Sequence, residues 1–300
     1  MSAAEPPRMP LFAALPRRAR CGHATLEFAV LGSSSSGNAS VLRVTTRESR
    51  RQILLDAGLS PRATFGAMRA LGFAPEDTAE VLFTHFDHDH AREGWARVAS
   101  TTGLRLRCAA SHRPAALARG YPSAWVETFD PRAGGFDLGP IRVEPCVNPH
   151  DEAGTVSFRL ETDAGSLGFA TDVGRVSDAL VDLLRGVDLL AIESNYDRAM
   201  QLDSARPKFL KDRIMGGRGH LSNEECVEAV RAIAFPDEPA QVVLIHLSRD
   251  CNHPDAVRGL WSRALPALAP RVAFAHHAQP TPVFRLRGGT LVDARGGAQP

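Results

Sequence analysis

The sequence predicts one α/β domain of four layers, an αββα sandwich in which two sheets pack face to face with helices outside. Three observations predict it. Strand-rich stretches alternate with helical ones in two successive halves, without a parallel βαβ rhythm throughout. Residues of metal-binding type recur where apolar strands end. No linker-like stretch follows residue 24. Residues 25–300 are therefore expected to form a single domain behind a disordered N-terminal extension, residues 1–24. In that extension Pro6, Pro7, Pro10 and Pro16 accompany Arg17, Arg18 and Arg20, and the apolar run 11–15 is too short for a secretory core.

Taken in order, residues 24–31 read as a strand that enters a Ser/Gly loop, 32–38, and returns as a second strand, 39–44. Strands flank this loop so tightly that a hairpin is expected, with amides and hydroxyls placed to hold a phosphate or orient metal ligands. A third strand, 52–58, ends in Asp56 and a glycine. Ser60 and Pro61 then have the N-cap and first-turn chemistry of a helix. Residues 79–83 read as a buried strand and 91–98 as the start of a helix. A strand over 104–109 and a short helix over 114–119 come next. A strand over 141–147 ends near His150, and Asp163-Ala164-Gly165 turns a hairpin between 156–161 and 166–170 that delivers Asp172. The helix 177–184 leads to the strand 187–192, which ends at Glu193. The basic segment 206–220 reads as irregular. Ser222 and Glu225 form a capping box for a helix to about 233. A strand over 241–245 ends at His246, a helix covers 254–265, and 271–275 is expected to be the final core strand.

Composition narrows the class. With 44% hydrophobic and 23% charged residues the chain has ordinary globular material, and a net charge of +1 gives no global field pointing to nucleic acid or membrane. Five cysteines without a close CxxC pair predict reduced thiols and a cytoplasmic protein, Cys251 among them an inert thiol. No apolar run approaches the roughly 20 residues that a bilayer needs.

Chemistry concentrates at Thr84-His85-Phe86-Asp87-His88-Asp89-His90, where three histidines and two aspartates fall within residues 85–90. Alternating imidazole and carboxylate suit a divalent ion such as zinc or manganese. With His150, Asp172 and His246, each after an apolar strand, the candidate metal ligands are His85, Asp87, Asp89, His90, His150, Asp172 and His246. That many ligands, with one carboxylate able to bridge, suit two divalent ions roughly 3.5–4 Å apart. Such a pair leaves hydroxide on a shared water at neutral pH, ready to attack phosphorus or carbonyl carbon.

Residues 84–90 resemble the THxHxDH motif of the metallo-β-lactamase-fold hydrolases, with Asp87 in place of the second histidine. The likeness is greatest to the YycJ/WalJ branch of metal-dependent phosphodiesterases. It is carried by residues 31–38, 54–58, Thr171-Asp172, 193–197, 219–224 and 246–248, and runs from about 25 to 285. The resemblance implies one metal on His85, Asp87 and His150, a second on Asp89, His90 and His246, and Asp172 shared. The carboxylate of Asp87 either tilts its site towards manganese or iron, or weakens it. His88 faces the other way along an extended segment.

The resemblance also implies a phosphodiesterase or exonuclease-like activity on DNA or RNA. Asp89 is then a ligand that also orients or deprotonates the water, and His220 contacts the scissile phosphate or protonates the leaving oxygen. Ser34, Ser35, Asn38, Lys208, Lys211 and Arg218 are candidate substrate contacts, with a solvated charge run as the plain alternative for the basic residues. Asp56, Glu193 and Asn195 are expected to brace the ligands. Two other readings stay open. One is hydrolysis of a small ester, thioester, lactam or cyclic phosphodiester on the same site, the other a non-catalytic metal-binding protein. His23, His112, His253, His276 and His277 receive no role.

Overall fold

A computed structural model describes residue 20 and residues 22–293. Residues 1–19 and 21 of the expected extension lie outside the described residues. Arg20 lies within them and donates to both carboxylate oxygens of Asp188, at 2.7 and 2.8 Å.

The first half of the chain runs β1 (Thr25–Gly32), β2 (Ala39–Thr45), β3 (Arg50–Leu55), α1 (Pro61–Ala70), β4 (Thr78–Leu82), α2 (Gly94–Thr102), β5 (Arg105–Ala109), α3 (Arg113–Ala118) and β6 (Val126–Phe129). Then come β7 (Phe136–Leu138), β8 (Ile141–Asn148), β9 (Thr155–Thr162), β10 (Gly165–Ala170), α4 (Asp178–Leu184) and β11 (Leu189–Glu193). The remainder is α5 (Arg198–Asp203), α6 (Lys208–Met215), α7 (Asn223–Ile233), β12 (Gln241–Ile245), α8 (Pro254–Ala264), β13 (Val272–Phe274), β14 (Phe284–Arg287) and β15 (Thr290–Val292).

Among the described residues the strands form two sheets, ordered β15-β14-β1-β2-β3-β4-β5-β6 and β13-β12-β11-β10-β9-β8-β7. Both follow one plan. Pairing is antiparallel through β1–β3 and through β7–β10, then parallel through β3–β6 and through β10–β13. Parallel neighbours need crossovers, so their carboxyl ends collect on one edge, where open α/β sheets place their ligands.

The strands are buried on both faces, which explains why they read as apolar runs rather than alternating ones. Along β1, Leu26, Phe28 and Val30 enter the core between the sheets, beside Phe158, Leu167 and Leu189. Ala29 and Leu31 point the other way, into a layer with Met68 and Trp95 from the outer helices. Each such side chain, fully withdrawn from water, contributes roughly 1.5–3 kcal/mol.

The expected caps are present. Ser60 accepts from the Ala63 amide, and Ser222 and Glu225 close a reciprocal capping box. Three expectations need correction. The segment 206–220 is not irregular throughout, because α6 occupies its first half and α5 precedes it. β13 is not the last strand, since β14 and β15 extend the first sheet beyond β1. The short strands β6 and β7 had no counterpart in the sequence reading. All are brief elements whose apolar pattern is too short to show a period, and tertiary pairing rather than propensity fixes them.

Candidate active site

The centre of the site is Asp56. It follows β3 in the left-handed region, φ 58°, a conformation rare outside glycine. Its carboxylate accepts from the Thr84 amide at 2.8 Å, from Thr84 Oγ1 at 2.9 Å and from His90 Nδ1 at 2.7 Å. Thr84 Oγ1 in turn lies 2.9 Å from His85 Nδ1. With both Nδ1 atoms engaged, the Nε2 atoms of His85 and His90 are left for other partners. Asp172, φ 51°, and His246, φ 57°, leave their strands with the same left-handed turn. Strain of this kind concentrates at functional sites.

The loop 85–90 is held against the first sheet's edge by Asn38, whose amide donates to the Asp89 carbonyl at 2.7 Å, and by Gly58. A Cβ on Gly58 would fall 1.6 Å from that carbonyl oxygen, so only glycine permits the approach.

All seven ligand candidates converge. Ligand atoms of His85, Asp87 and His150 lie within 4.8 Å of one another, as do those of Asp89, His90 and His246, and of His85, His90 and Asp172. A further group joins Asp172 and His246 to Glu193 and His220, two residues not counted as ligands from sequence. Asp172 stands between the clusters, with Oδ2 3.0 Å from His90 Nε2 and Oδ1 4.0 Å from His150 Nε2. His88 belongs to none of these groups.

The donor set fits a metal. His85 Nε2 is buried without a hydrogen-bond partner, which is costly unless a cation takes its lone pair. Burial, with His90 alongside, holds His85 well below the ordinary imidazole range. Burial likewise opposes charge on His150 and His246, yet Asp87 and Asp172 push His150 up to about 9, and Asp172, Asp89 and Glu193 push His246 up to about 10. Burial also works against the charged forms of Asp89, Asp172 and Glu193, and the surrounding imidazoles outweigh it and lower all three. Without a metal, the carboxylates draw protons onto His90, His150 and His246. A cation satisfies the same charge.

A cleft of about 270 Å³ opens over the clusters, with Ser35, Arg206, Arg213, His220 and Ser248 on its walls. His220 Nδ1 lies 2.6 Å from Glu193 Oε1 and 3.3 Å from Asp172 Oδ1. Glu193 also accepts from the Val173 amide at 2.9 Å, and Asn195 Nδ2 lies 2.9 Å from His246 Nδ1. Asp56 and Asn195 contact His90 and His246, while Glu193 contacts His220 and falls in a candidate metal group with it. Asn38 Nδ2 contacts Asp89 Oδ2 at 3.1 Å and His90 Nε2 at 3.0 Å, so it supports ligands rather than lining the cleft.

The basic contacts differ from expectation. Lys208, Lys211 and Arg218 are not among the cleft-lining residues. α6 turns Leu210, Arg213 and Ile214 towards the cleft, a spacing of three and four that directs Lys208 to Asp212 and Lys211 to the Leu202 carbonyl. Arg206 and Arg213 take their place. Within α6 the spacing 210, 213, 214 is the signal available, but it counts only once the segment is known to be helical.

Comparison with known proteins agrees with this geometry. Residues 51–247 match the Beta-lactamase superfamily domain family. The chain belongs to that family. It is 31% identical to Exodeoxyribonuclease YycJ of Bacillus anthracis over 80% of this chain and 89% of the relative. It is 29% identical to Exodeoxyribonuclease WalJ of Streptococcus pneumoniae over 75% of this chain and 83% of the relative. Among solved structures, the metallo-β-lactamase fold protein YhfI from Bacillus subtilis superposes with a TM-score of 0.64 at 16% identity, covering 86% of this chain and 99% of the other. The protein is therefore a metal-dependent hydrolase of metallo-β-lactamase fold on the YycJ/WalJ branch, and it binds divalent metal. No described helix is long and apolar enough to cross a membrane.

Proposed function

We propose that the protein is a two-metal phosphodiesterase that acts on DNA as an exonuclease. One observation carries the reading. Seven ligands from both sheets meet around the bare Nε2 of His85, at the floor of a cleft walled by Arg206 and Arg213. The exodeoxyribonuclease relatives supply the substrate class.

His85, Asp87 and His150 would hold one ion and Asp89, His90 and His246 the other, with Asp172 between. Bound there, the ions supply an activated water and Lewis-acid stabilisation of the charge developing on phosphate. The chain's own residues do the rest. Arg206 and Arg213 carry fork-shaped donors suited to phosphate oxygens. Each is tethered by a carboxylate, Asp250 and Asp151 respectively, which fixes its head at the cleft. Asp89, oriented by Asn38, accepts the proton of the attacking water. His220 keeps its Nδ1–H on Glu193, and in its doubly protonated form it gives the Nε2 proton to the leaving 3′ or 5′ oxygen. Asp87, an oxygen donor where the family motif has histidine, favours manganese over zinc in the first site. The thiols of Cys108, Cys146, Cys226 and Cys251 are free and buried, which suits a reducing cytoplasm. Arginine walls also disfavour a small apolar ester as substrate.

Labelled single- and double-stranded DNA, RNA and bis(p-nitrophenyl) phosphate, each with manganese and with zinc, test the reading. Stepwise release of nucleotides from DNA, abolished by chelation, is the expected result. Fewer than two ions per chain with no phosphodiester turnover would point instead to a metal-binding protein.

A further inference from the structure

A second cavity, of about 350 Å³, lies on the far side of Ser248 from the ligand clusters. Ser248 lines both spaces. The two differ in charge. The metal-side cleft carries Asp87, Asp89 and Asp172, whereas no carboxylate lines the second cavity. Its polar groups include Ser34, Arg249, His253, His276 and His277, and Leu247, Pro254 and Ala275 give it an apolar side. Arg249 is exposed and, among the described residues, has no ion-pair or hydrogen-bond partner, unlike Arg206 and Arg213. His276 and His277 stand with ring centroids 4.2 Å apart. Backbone bonds fix this cavity to the site. The Ser33 amide donates to the His276 carbonyl at 3.0 Å, and the His246 amide donates to Ser33 Oγ at 2.7 Å.

We infer that this cavity is a nucleotide subsite, holding the nucleotide adjacent to the one whose phosphodiester lies over the ligand clusters. Arg249 meets its phosphate, and the paired imidazoles with Leu247 and Ala275 meet its sugar and base. The inference rests on the phosphodiesterase reading above. An unpaired guanidinium free of carboxylates selects an anion, the mixed apolar lining suits a base and sugar, and a strand crossing Ser248 reaches both spaces without leaving the surface. It follows that the enzyme distinguishes an oligonucleotide from a minimal diester by more than the reacting phosphate.

The test compares wild type with Arg249→Glu and with His277→Ala, after melting curves establish that the variants fold. The substrates are a short single-stranded oligodeoxynucleotide and bis(p-nitrophenyl) phosphate, with manganese. In both variants the ratio of oligonucleotide to small-diester kcat/KM should fall by about tenfold, through KM rather than kcat. The salt dependence of oligonucleotide KM should also flatten for Arg249→Glu. An unchanged ratio in DNA-cleaving protein would overturn the subsite alone. Hydrolysis of the small diester with no DNA turnover by wild type would overturn the DNA reading and the subsite with it.

Discussion

His85, Asp87 and His150 form a loose, open cluster, while Asp89, His90 and His246 form a tighter, more enclosed one. Asp87 Oδ2 stands 3.9 Å from both His85 Nε2 and His150 Nε2, and its side chain is 46% exposed. Asp89 Oδ2 approaches His246 Nε2 to 3.1 Å and takes an Asn38 donor at 3.1 Å, with its side chain 21% exposed. Behind the second cluster stand Asp56 on His90 and Asn195 on His246. The difference shows where substitution is tolerated. A candidate ligand at the exposed lip of the cleft can change from imidazole to carboxylate without disturbing the packing around the other six candidates. The same change at His90, which is fully buried, would leave the Asp56 carboxylate facing another carboxylate.

Removing the residue that stands between the clusters should erase the contrast and have the largest effect. Asp172→Ala is expected to lower turnover of bis(p-nitrophenyl) phosphate by about a thousandfold and to reduce metal content in both clusters, read by elemental analysis. His220→Ala should cost roughly a hundredfold in kcat on DNA with metal content unchanged. Its loss on bis(p-nitrophenyl) phosphate should be smaller, because p-nitrophenolate leaves without a proton. Equal losses on both substrates would remove the acid role. Asp56→Ala should weaken metal affinity by about 10–100-fold. Since Asp56 contacts His90 directly and His85 only through Thr84, the second cluster should be the more affected.

Much of this was legible in the sequence, for a physical reason. Ligands at strand ends follow long apolar runs that announce themselves, so His150, Asp172 and His246 could be set beside residues 85–90 before any coordinates. The caps at Ser60 and Ser222 are local chemistry and are likewise readable. What could not be read depends on tertiary placement. Arg213 reaches the cleft from α6 and Arg206 from the connection between α5 and α6, and elements of six and eight residues carry too little periodicity to be read. Glu193 was placed behind the ligands, but its 2.6 Å contact with His220, which makes that histidine a directed donor, joins residues far apart in the chain. The left-handed turns at Asp56, Asp172 and His246 are equally hard to read, because Asp and His adopt a positive φ more often than most residues but far less often than glycine.

Two smaller effects sharpen the comparison. Asp87→His should shift the preference of the open cluster from manganese towards zinc, seen in competitive metal binding, by less than the Asp56→Ala effect. In the metal-free chain His150 is raised to about 9 and His246 to about 10, His90 is raised as well, and His85 is lowered. A raised imidazole stabilises the fold fully below its unfolded value near 6.5 and loses that contribution as pH climbs through the folded value. Metal-free protein should therefore lose stability between pH 6.5 and about 10, the window those two histidines define. Loading must expel the same protons, on the order of one from the open cluster through His150 and two from the tight cluster through His90 and His246. Metal affinity should fall as pH falls, and more steeply for the tight cluster. Calorimetric titration of metal into the apo-protein at pH 7.5, in buffers of different ionisation enthalpy, counts the protons released. No release, or an equal pH slope for the two clusters, would mean that imidazole protonation does not govern loading.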